Sequence, residues 1–156
     1  MEITQLADYP YEAQKVASWY YNEWACHAPN VSEAMVLENV TEHASNRNDI
    51  PLSIIVRENN QLVGVAELKY RENKNYPEYV HWIGGVFVEL NNRGRGISNL
   101  LVSEVQSKAV SLGIDKLYLQ CENHNVSLYK TYGFHELHQA SDDELSAMIM
   151  LWEAHT

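Results

Sequence analysis

The segment from Val86 to Leu112 constrains this chain more than any other. A strand end rich in branched and aromatic residues, Val86-Phe87-Val88, runs through a short loop holding Gly94 and Gly96 into the longest amphipathic stretch of the sequence. From Arg95 to Leu112, apolar Ile97, Leu101, Val105, Ala109 and Leu112 recur every three or four residues and Gly113 stops the run, which predicts a helix. Such a joint is an anion site in outline. A helix start offers unpaired backbone N–H groups and the positive end of the macrodipole, and glycines let a diphosphate come up to the backbone. Arg93 and Arg95 add local positive charge. An isolated G-x-G is more often a tight strand-to-helix turn, so the rest of the chain has to decide. Two familiar phosphate loops do not fit: no GK[ST] ends the segment, and Asn99 stands where a dinucleotide fingerprint needs its third glycine.

The remaining punctuation sets an order of elements. A strand at Glu2 to Leu6 precedes a helix marked by Val16, Trp19, Tyr20 and Trp24; Pro29 breaks it. Ser32 can cap a second helix with Met35, Val36, Val40 and Ala44 on its apolar side, up to about Asn46. Leu52 to Arg57 and Leu62 to Tyr70 form a predicted hairpin across Glu58-Asn59-Asn60-Gln61, whose asparagines tolerate positive φ. A third strand from about Tyr79 to Val88 carries Gly84-Gly85 inside it, a pair that marks a bulge or a close backbone approach. Lys116 to Gln120, Phe134 to Leu137 and Ser146 to Trp152 read as strands, and Val126 to Tyr132 as a short helix stopped by Gly133. The order βααβββαβαββ gives an α/β fold with a mixed sheet, expected as one domain over residues 1–156.

At 156 residues and 46% hydrophobic the chain can bury a core without disulfides or metals. Its 21 acidic against 11 basic residues, net charge -10, repel nucleic acid and anionic lipid, so neither is an expected partner. Cys26 and Cys121 form no CxxC pattern and suit a reduced cytoplasm. Met1-Glu2-Ile3-Thr4-Gln5 lacks a basic and then apolar leader, and no apolar stretch approaches the ~20 residues of a spanning helix, so a soluble, unprocessed protein is expected. Histidines 43, 124, 135, 138 and 155 show no metal-ligand spacing, and no metal is expected.

Arg93-Gly94-Arg95-Gly96-Ile97 resembles the Q/R-x-x-G-x-G/A motif of the GCN5-related N-acetyltransferases, with Ser98 in the last position, small enough for close approach. Leu128-Tyr129-Lys130-Thr131-Tyr132-Gly133-Phe134 resembles that family's LYxxxGF segment and follows the expected strand Leu117-Tyr118-Leu119-Gln120. The resemblance covers about Leu52 to Phe134, and segments such as His81 to Val88 look most like uncharacterised bacterial members. It implies a mostly antiparallel sheet flanked by helices and acetyl-coenzyme A as co-substrate. It places the pyrophosphate on Arg93, Gly94, Arg95, Gly96, Ile97 and Ser98. A splayed strand at Val86, Phe87 and Val88 would meet the thioester and pantetheine. Where many members carry an Asn seven residues before the motif tyrosine, Glu122 stands; either Asn123 or Asn125 substitutes or the contact is absent. A homodimer is the family-level expectation.

Direct acetyl transfer needs a neutral amine beside the thioester, donors for the carbonyl oxygen and an acid for the leaving thiolate. The resemblance assigns the acid to Tyr129, which could instead cover the core. Two residues compete as base. His81 comes first on position, within the strand expected to hold the thioester, and Glu67, among apolar residues, is the alternative; each could equally be a satisfied structural residue. Trp19, Tyr20, Trp24 and His27 line an acceptor pocket or fill a core, and Asp142, Asp143 and Glu144 attract a cationic acceptor or form a solvated loop. Cys121 has no evident His or Asp partner for an acyl-enzyme route. The expected function is acetyl transfer to a primary amine of a small molecule or peptide in a ternary complex. The rival is a non-catalytic acyl-CoA-binding regulatory module.

Overall fold

Asn59 and Asn60 take left-handed φ values of 53° and 64°, closing the expected hairpin between β2 (Leu52–Glu58) and β3 (Gln61–Tyr70). On either side of it the computed structural model, which describes residues 1–140 and 147–155, places β1 (Glu2–Gln5), α1 (Ala13–Glu23) and α2 (Glu33–His43) upstream. Downstream come β4 (His81–Val88), α3 (Ile97–Ser111), β5 (Lys116–Glu122), α4 (Val126–Thr131), β6 (His135–Gln139) and β7 (Ala147–Glu153). One seven-stranded sheet runs β1-β2-β3-β4-β5-β7-β6, antiparallel at every step except β4–β5. The α/β class, the mixed sheet and the element order are those expected from the sequence. Asp142, Asp143, Glu144 and Ser146 lie outside the described residues.

The two faces of the sheet carry separate cores. On one, α3 buries Ile97, Leu101, Val102, Val105 and Ala109 against Leu52, Ile54, Val56, Ala66, Leu68 and Ile83. On the other, Val16, Ala17 and Tyr20 of α1 and Val40 of α2 cover Ile55, Leu62 and Val65. β2 and β3 are covered twice, which is why they read as continuous apolar runs rather than alternating ones. Each fully buried side chain such as Leu101 contributes about 1.5–3 kcal/mol through the area it removes from water.

Several boundaries differ from the sequence reading, each for a local reason. α3 begins at Ile97 and not Arg95, because Gly94 and Gly96 sit at φ 79° and 80°, outside helical space. β4 begins at His81 because Tyr79 is held in a turn by the bond from its N–H to the Tyr76 carbonyl. α1 ends at Glu23, leaving Trp24 as its last cap, 46% exposed. α2 is capped by Ser32, whose Oγ accepts from the Met35 N–H at 3.2 Å, as expected, but Met35 itself is exposed while Val40 and Ala44 are buried.

β4 carries two irregularities. Against β5 it is paired at a single register, Trp82 with Tyr118, so the parallel strands part beyond that point. Against β3, the step from Val65 to Glu67 is matched by the step from Phe87 to Gly84, one residue longer. That surplus residue is a bulge at the second glycine, Gly85, which takes φ 57°.

Candidate active site

The loop after β4 is shaped from within. Arg93 turns back so that its Nε donates to the Val88 carbonyl at 2.8 Å, with its guanidinium over the Phe87 ring. Arg95 bonds Asn92 Oδ1 at 2.7 Å and pairs with Glu58 of the hairpin at 2.8 Å. Both arginines therefore hold the loop, and the N-terminal N–H groups of α3 are its strongest anion donors. Gly96 caps α3 with no side-chain hydrogen bond, so the first-turn N–H groups have no intrahelical or side-chain acceptor. No atom lies within 4 Å of a Cβ built on Gly94 or Gly96, so the mouth of the loop is open to a ligand. Ile97, 1% exposed, anchors the helix start in the core, and Ser98 Oγ bonds the Tyr132 hydroxyl at 2.7 Å, tying α3 to the segment after α4.

Beyond Trp82 the β4 edge has no β5 partner, which leaves backbone groups of the Gly84 to Val88 segment available to a bound molecule. From the β5 side, Tyr129 of α4 packs edge-on to Tyr132 and Phe134. Burial pushes its hydroxyl well above the usual tyrosine range, and the neighbouring Cys121, Tyr132 and Glu72 add to this. Tyr129 thus stays protonated. Cys121 is itself pushed up to about 11, by burial first and then by Glu122 and Glu136, so its thiol is neutral and a poor nucleophile near neutral pH. Asn125 lies half-buried at the start of α4, whereas Glu122 is exposed beside His124, and Asn123 accepts from Gln139 at 3.3 Å.

A polar cluster lies on the α1/α2 side of the bulge. In the β3–β4 ladder Glu67 stands opposite Gly84 and Lys69 opposite Trp82, so alternation puts Glu67 and Lys69 on one face. Glu67 is 5% exposed; its Oε2 meets Nδ1 of His43, from the end of α2. Its Oε1 lies 4.0 Å from Lys69 Nζ, and Lys69 pairs with Glu72 at 2.5 Å. Burial works against the Lys69 charge, but Glu72 and then Glu67 outweigh it and hold the ammonium above its ordinary pKa. Tyr20 of α1 donates from its hydroxyl to the Gly85 carbonyl at 2.7 Å, and burial, then Glu67, raises its pKa. A Cβ at Gly85 would stand 2.5 Å from Glu67 Oε1 and 2.6 Å from the Tyr20 hydroxyl; one at Gly84 would stand 2.7 Å from Glu72 Oε1. The two glycines let these side chains close onto the strand.

His81 is elsewhere. It pairs with Tyr70, its ring lies 5.4 Å from the Tyr70 ring, and it shares a face with Ile83 of the α3-side core. Burial and then Arg71 lower its pKa, against a smaller opposing effect of Asp115. The structure therefore brings together Glu67 and the Gly84 to Val88 segment on the α1/α2 face, sets His81 on the opposite face, and packs Tyr129 against the α3-side core, with Glu72 near enough to act on its hydroxyl. Around Phe87, Trp19 packs at 5.0 Å and Trp24 at 6.3 Å between ring centroids, so the aromatic stripe of α1 forms the wall next to the bulge; His27 is exposed. The sequence reading missed Lys69, Glu72 and His43. Alternation from Glu67 signals Lys69, and Val36, Val40 and His43 share one stripe of α2.

Residues 12–134 match the acetyltransferase (GNAT) family. Among curated proteins none matches this sequence. Among solved structures, the chain is similar to the ribosomal-protein-alanine N-acetyltransferase of Brucella melitensis, at 21% identity and TM-score 0.74, over 99% of this chain and 100% of that one. It is similar to yncA of Salmonella typhimurium, solved with acetyl-CoA, at 18% identity and TM-score 0.73, over 100% and 96%. An aminoglycoside 6'-N-acetyltransferase complexed with coenzyme A superposes at TM-score 0.75 with 14% identity, over 98% and 97%. These likenesses fix the fold, and with a family match running from just before α1 through Phe134, they make this chain a member of the GNAT acetyltransferase family.

Proposed function

We propose that this protein moves an acetyl group from acetyl-CoA to a primary amine by direct attack in a ternary complex. The observation that carries the reading is the bulged, unpaired part of β4, flanked by the buried carboxylate of Glu67 on the α1/α2 face, with the protonated Tyr129 packed on the α3-side core. Open space at Gly94 and Gly96 and the uncapped start of α3 fit a diphosphate there. Arg93 and Arg95 hold the loop in shape, Ile97 and Ser98 fix the helix start, and the edge of Val86, Phe87 and Val88 supplies backbone donors to the pantetheine and the thioester oxygen. Asn125 is the better placed of the two asparagines to replace the family's missing one. Acetyl-CoA supplies the activated acyl group; the chain's residues orient it and move protons.

Of the two candidate bases, Glu67 fits this role, because it shares the α1/α2 face with the bulge, whereas His81 faces the other core. Glu67 takes a proton from the acceptor ammonium. The neutral amine then forms the C–N bond as the C–S bond breaks, and Tyr129 gives its proton to the leaving sulfur while the second amine proton restores the hydroxyl. One proton leaves to solvent for each turnover. The neutral Cys121 thiol speaks for direct attack over an acyl-enzyme. Free Cys26 and Cys121 suit the cytoplasm, and among the described residues no helix is long and apolar enough to cross a membrane. The test is thiol release from acetyl-CoA against a panel of polyamines, aminoglycosides, amino acids and peptide N-termini: release with at least one amine supports the reading. Tight acetyl-CoA binding with no release from any amine would instead support the regulatory binding module.

A further inference from the structure

Glu67 offers its two oxygens to different neighbours, and the difference gives His43 a part in the reaction. Oε1 faces the bulge, within 2.5 Å of a Cβ position at Gly85, with Lys69 Nζ at 4.0 Å. Oε2 faces inward to His43 Nδ1, and neither of these two atoms has another partner among the described residues. Both side chains are nearly inaccessible, at 7% and 6% exposure. Across the ladder from Glu67 stands Ser53, 1% exposed, whose Oγ has no hydrogen-bond partner among the described residues, so the inner side of the pair carries a polar group. His43 is the last residue of α2, at the helix's negative end. Among the described residues, the charged and titratable groups facing the pair are Tyr20 from α1, Lys69 from β3 and Glu72 from the β3–β4 loop; β2 contributes the uncharged Ser53.

We infer that His43 and Glu67 act as one proton-accepting pair, with Glu67 Oε1 meeting the acceptor ammonium and His43, a positioning and relay residue, sharing the proton through Oε2. The inference rests on the acetyl-transfer reading. Its accounting is closed: the ammonium loses one proton to the pair, the pair passes it to solvent, and no redox partner is involved. Two groups coupled this closely titrate together, so the acidic limb of kcat/KM belongs to the pair. An imidazole is a stronger base than a carboxylate, so removing it should move that limb to lower pH.

The experiment compares wild type, His43→Gln and Glu67→Gln over pH with one active amine. Gln at position 43 can still donate to Glu67 Oε2 but cannot titrate. His43→Gln is expected to lower kcat/KM by roughly tenfold to a hundredfold, short of the full span for a lost base, and to move the acidic limb down, with acetyl-CoA affinity by calorimetry unchanged. An unchanged limb and height in His43→Gln would assign His43 to packing and overturn the pair. Should either variant fold poorly, nitrogen NMR of the His43 ring in the wild-type protein decides: its titration is expected to coincide with the kinetic limb, and a ring that titrates apart from it overturns the inference. If wild type releases no thiol with any amine, the acetyl-transfer reading fails on its own. The pair is then judged by whether Glu67→Gln shifts the His43 titration, and no shift overturns it.

Discussion

Between Val88 and Ser98 the contacts that shape the site are mostly short in sequence: Arg93 reaches back five residues to the Val88 carbonyl, and Arg95 bonds Asn92 three residues away. The cluster around Glu67 is assembled from afar. Tyr20 crosses 65 residues to reach the Gly85 carbonyl, His43 comes from α2, and Lys69 and Glu72 from β3 and the loop after it. The loop also stands open, with nothing near Gly94 or Gly96, while the cluster closes to contact around Gly84 and Gly85. On the proposed reading, coenzyme binding rests mainly on one strand-loop-helix joint and proton transfer on a bulge held between two layers, so damage to the first should appear as lost affinity and damage to the second as lost turnover.

The largest effects belong to the cluster and to Tyr129. Glu67→Gln is expected to lower kcat/KM by about 10²- to 10⁴-fold with acetyl-CoA affinity unchanged, and Tyr129→Phe to lower kcat by about ten- to ten-thousandfold. Steady-state kinetics beside calorimetry reads both; a fall in coenzyme affinity matching the fall in rate would erase the division between the two regions. Next come the glycines. Gly85→Ala must strain a φ of 57° and push its methyl into Glu67 and Tyr20, so it should destabilise the fold by at least about 1–3 kcal/mol and abolish most turnover. Gly96→Ala meets open space and should cost only the left-handed conformation, about 1–2 kcal/mol. Denaturant melts compare them directly, and equal losses would mean that the cluster is no more tightly built than the loop.

A smaller change is expected from Tyr20→Phe, which removes one hydrogen bond to the Gly85 carbonyl worth about 0.5–1.5 kcal/mol. Through a loosened bulge, kcat should fall severalfold without a change in coenzyme affinity; an unchanged kcat would detach Tyr20 from the site. The smallest catalytic effect is predicted for His81→Gln, which should leave kcat/KM and its acidic limb in place. Its signature is in stability. Because the folded His81 pKa is lowered, the unfolded chain takes up the proton first as pH falls through about 6.5, and stability declines there. His81→Gln should flatten that part of the stability profile, as urea melts between neutral and mildly acid pH can show, and an unaltered slope would remove His81 from the account.

Legibility in the sequence divides along the same line. The glycine loop, the start of the long helix, the Asn59-Asn60 turn and the LYxxxGF-like segment are patterns of neighbours, and the fold order could be read from them. Gly84-Gly85 announced a bulge, but not that its purpose is to admit Glu67, Tyr20 and Glu72 to the strand. Glu67 was visible as a carboxylate among apolar residues, whereas His43 had no local mark beyond its place on the apolar stripe of α2, since its meaning depends on β3 lying beneath that helix. His81 was favoured on distance along the chain. Strand alternation, once the register with Tyr70 is known, sends it to the other face.

The most direct test of direct transfer is a single-turnover reaction with acetyl-CoA labelled in the acetyl group, run with and without an active amine. The account predicts that label stays on the coenzyme until amine is added, and that it then appears in the amine, one acetyl for each thiol released. Label trapped on the protein, at Cys121 or elsewhere, or thiol released without amine, would contradict it.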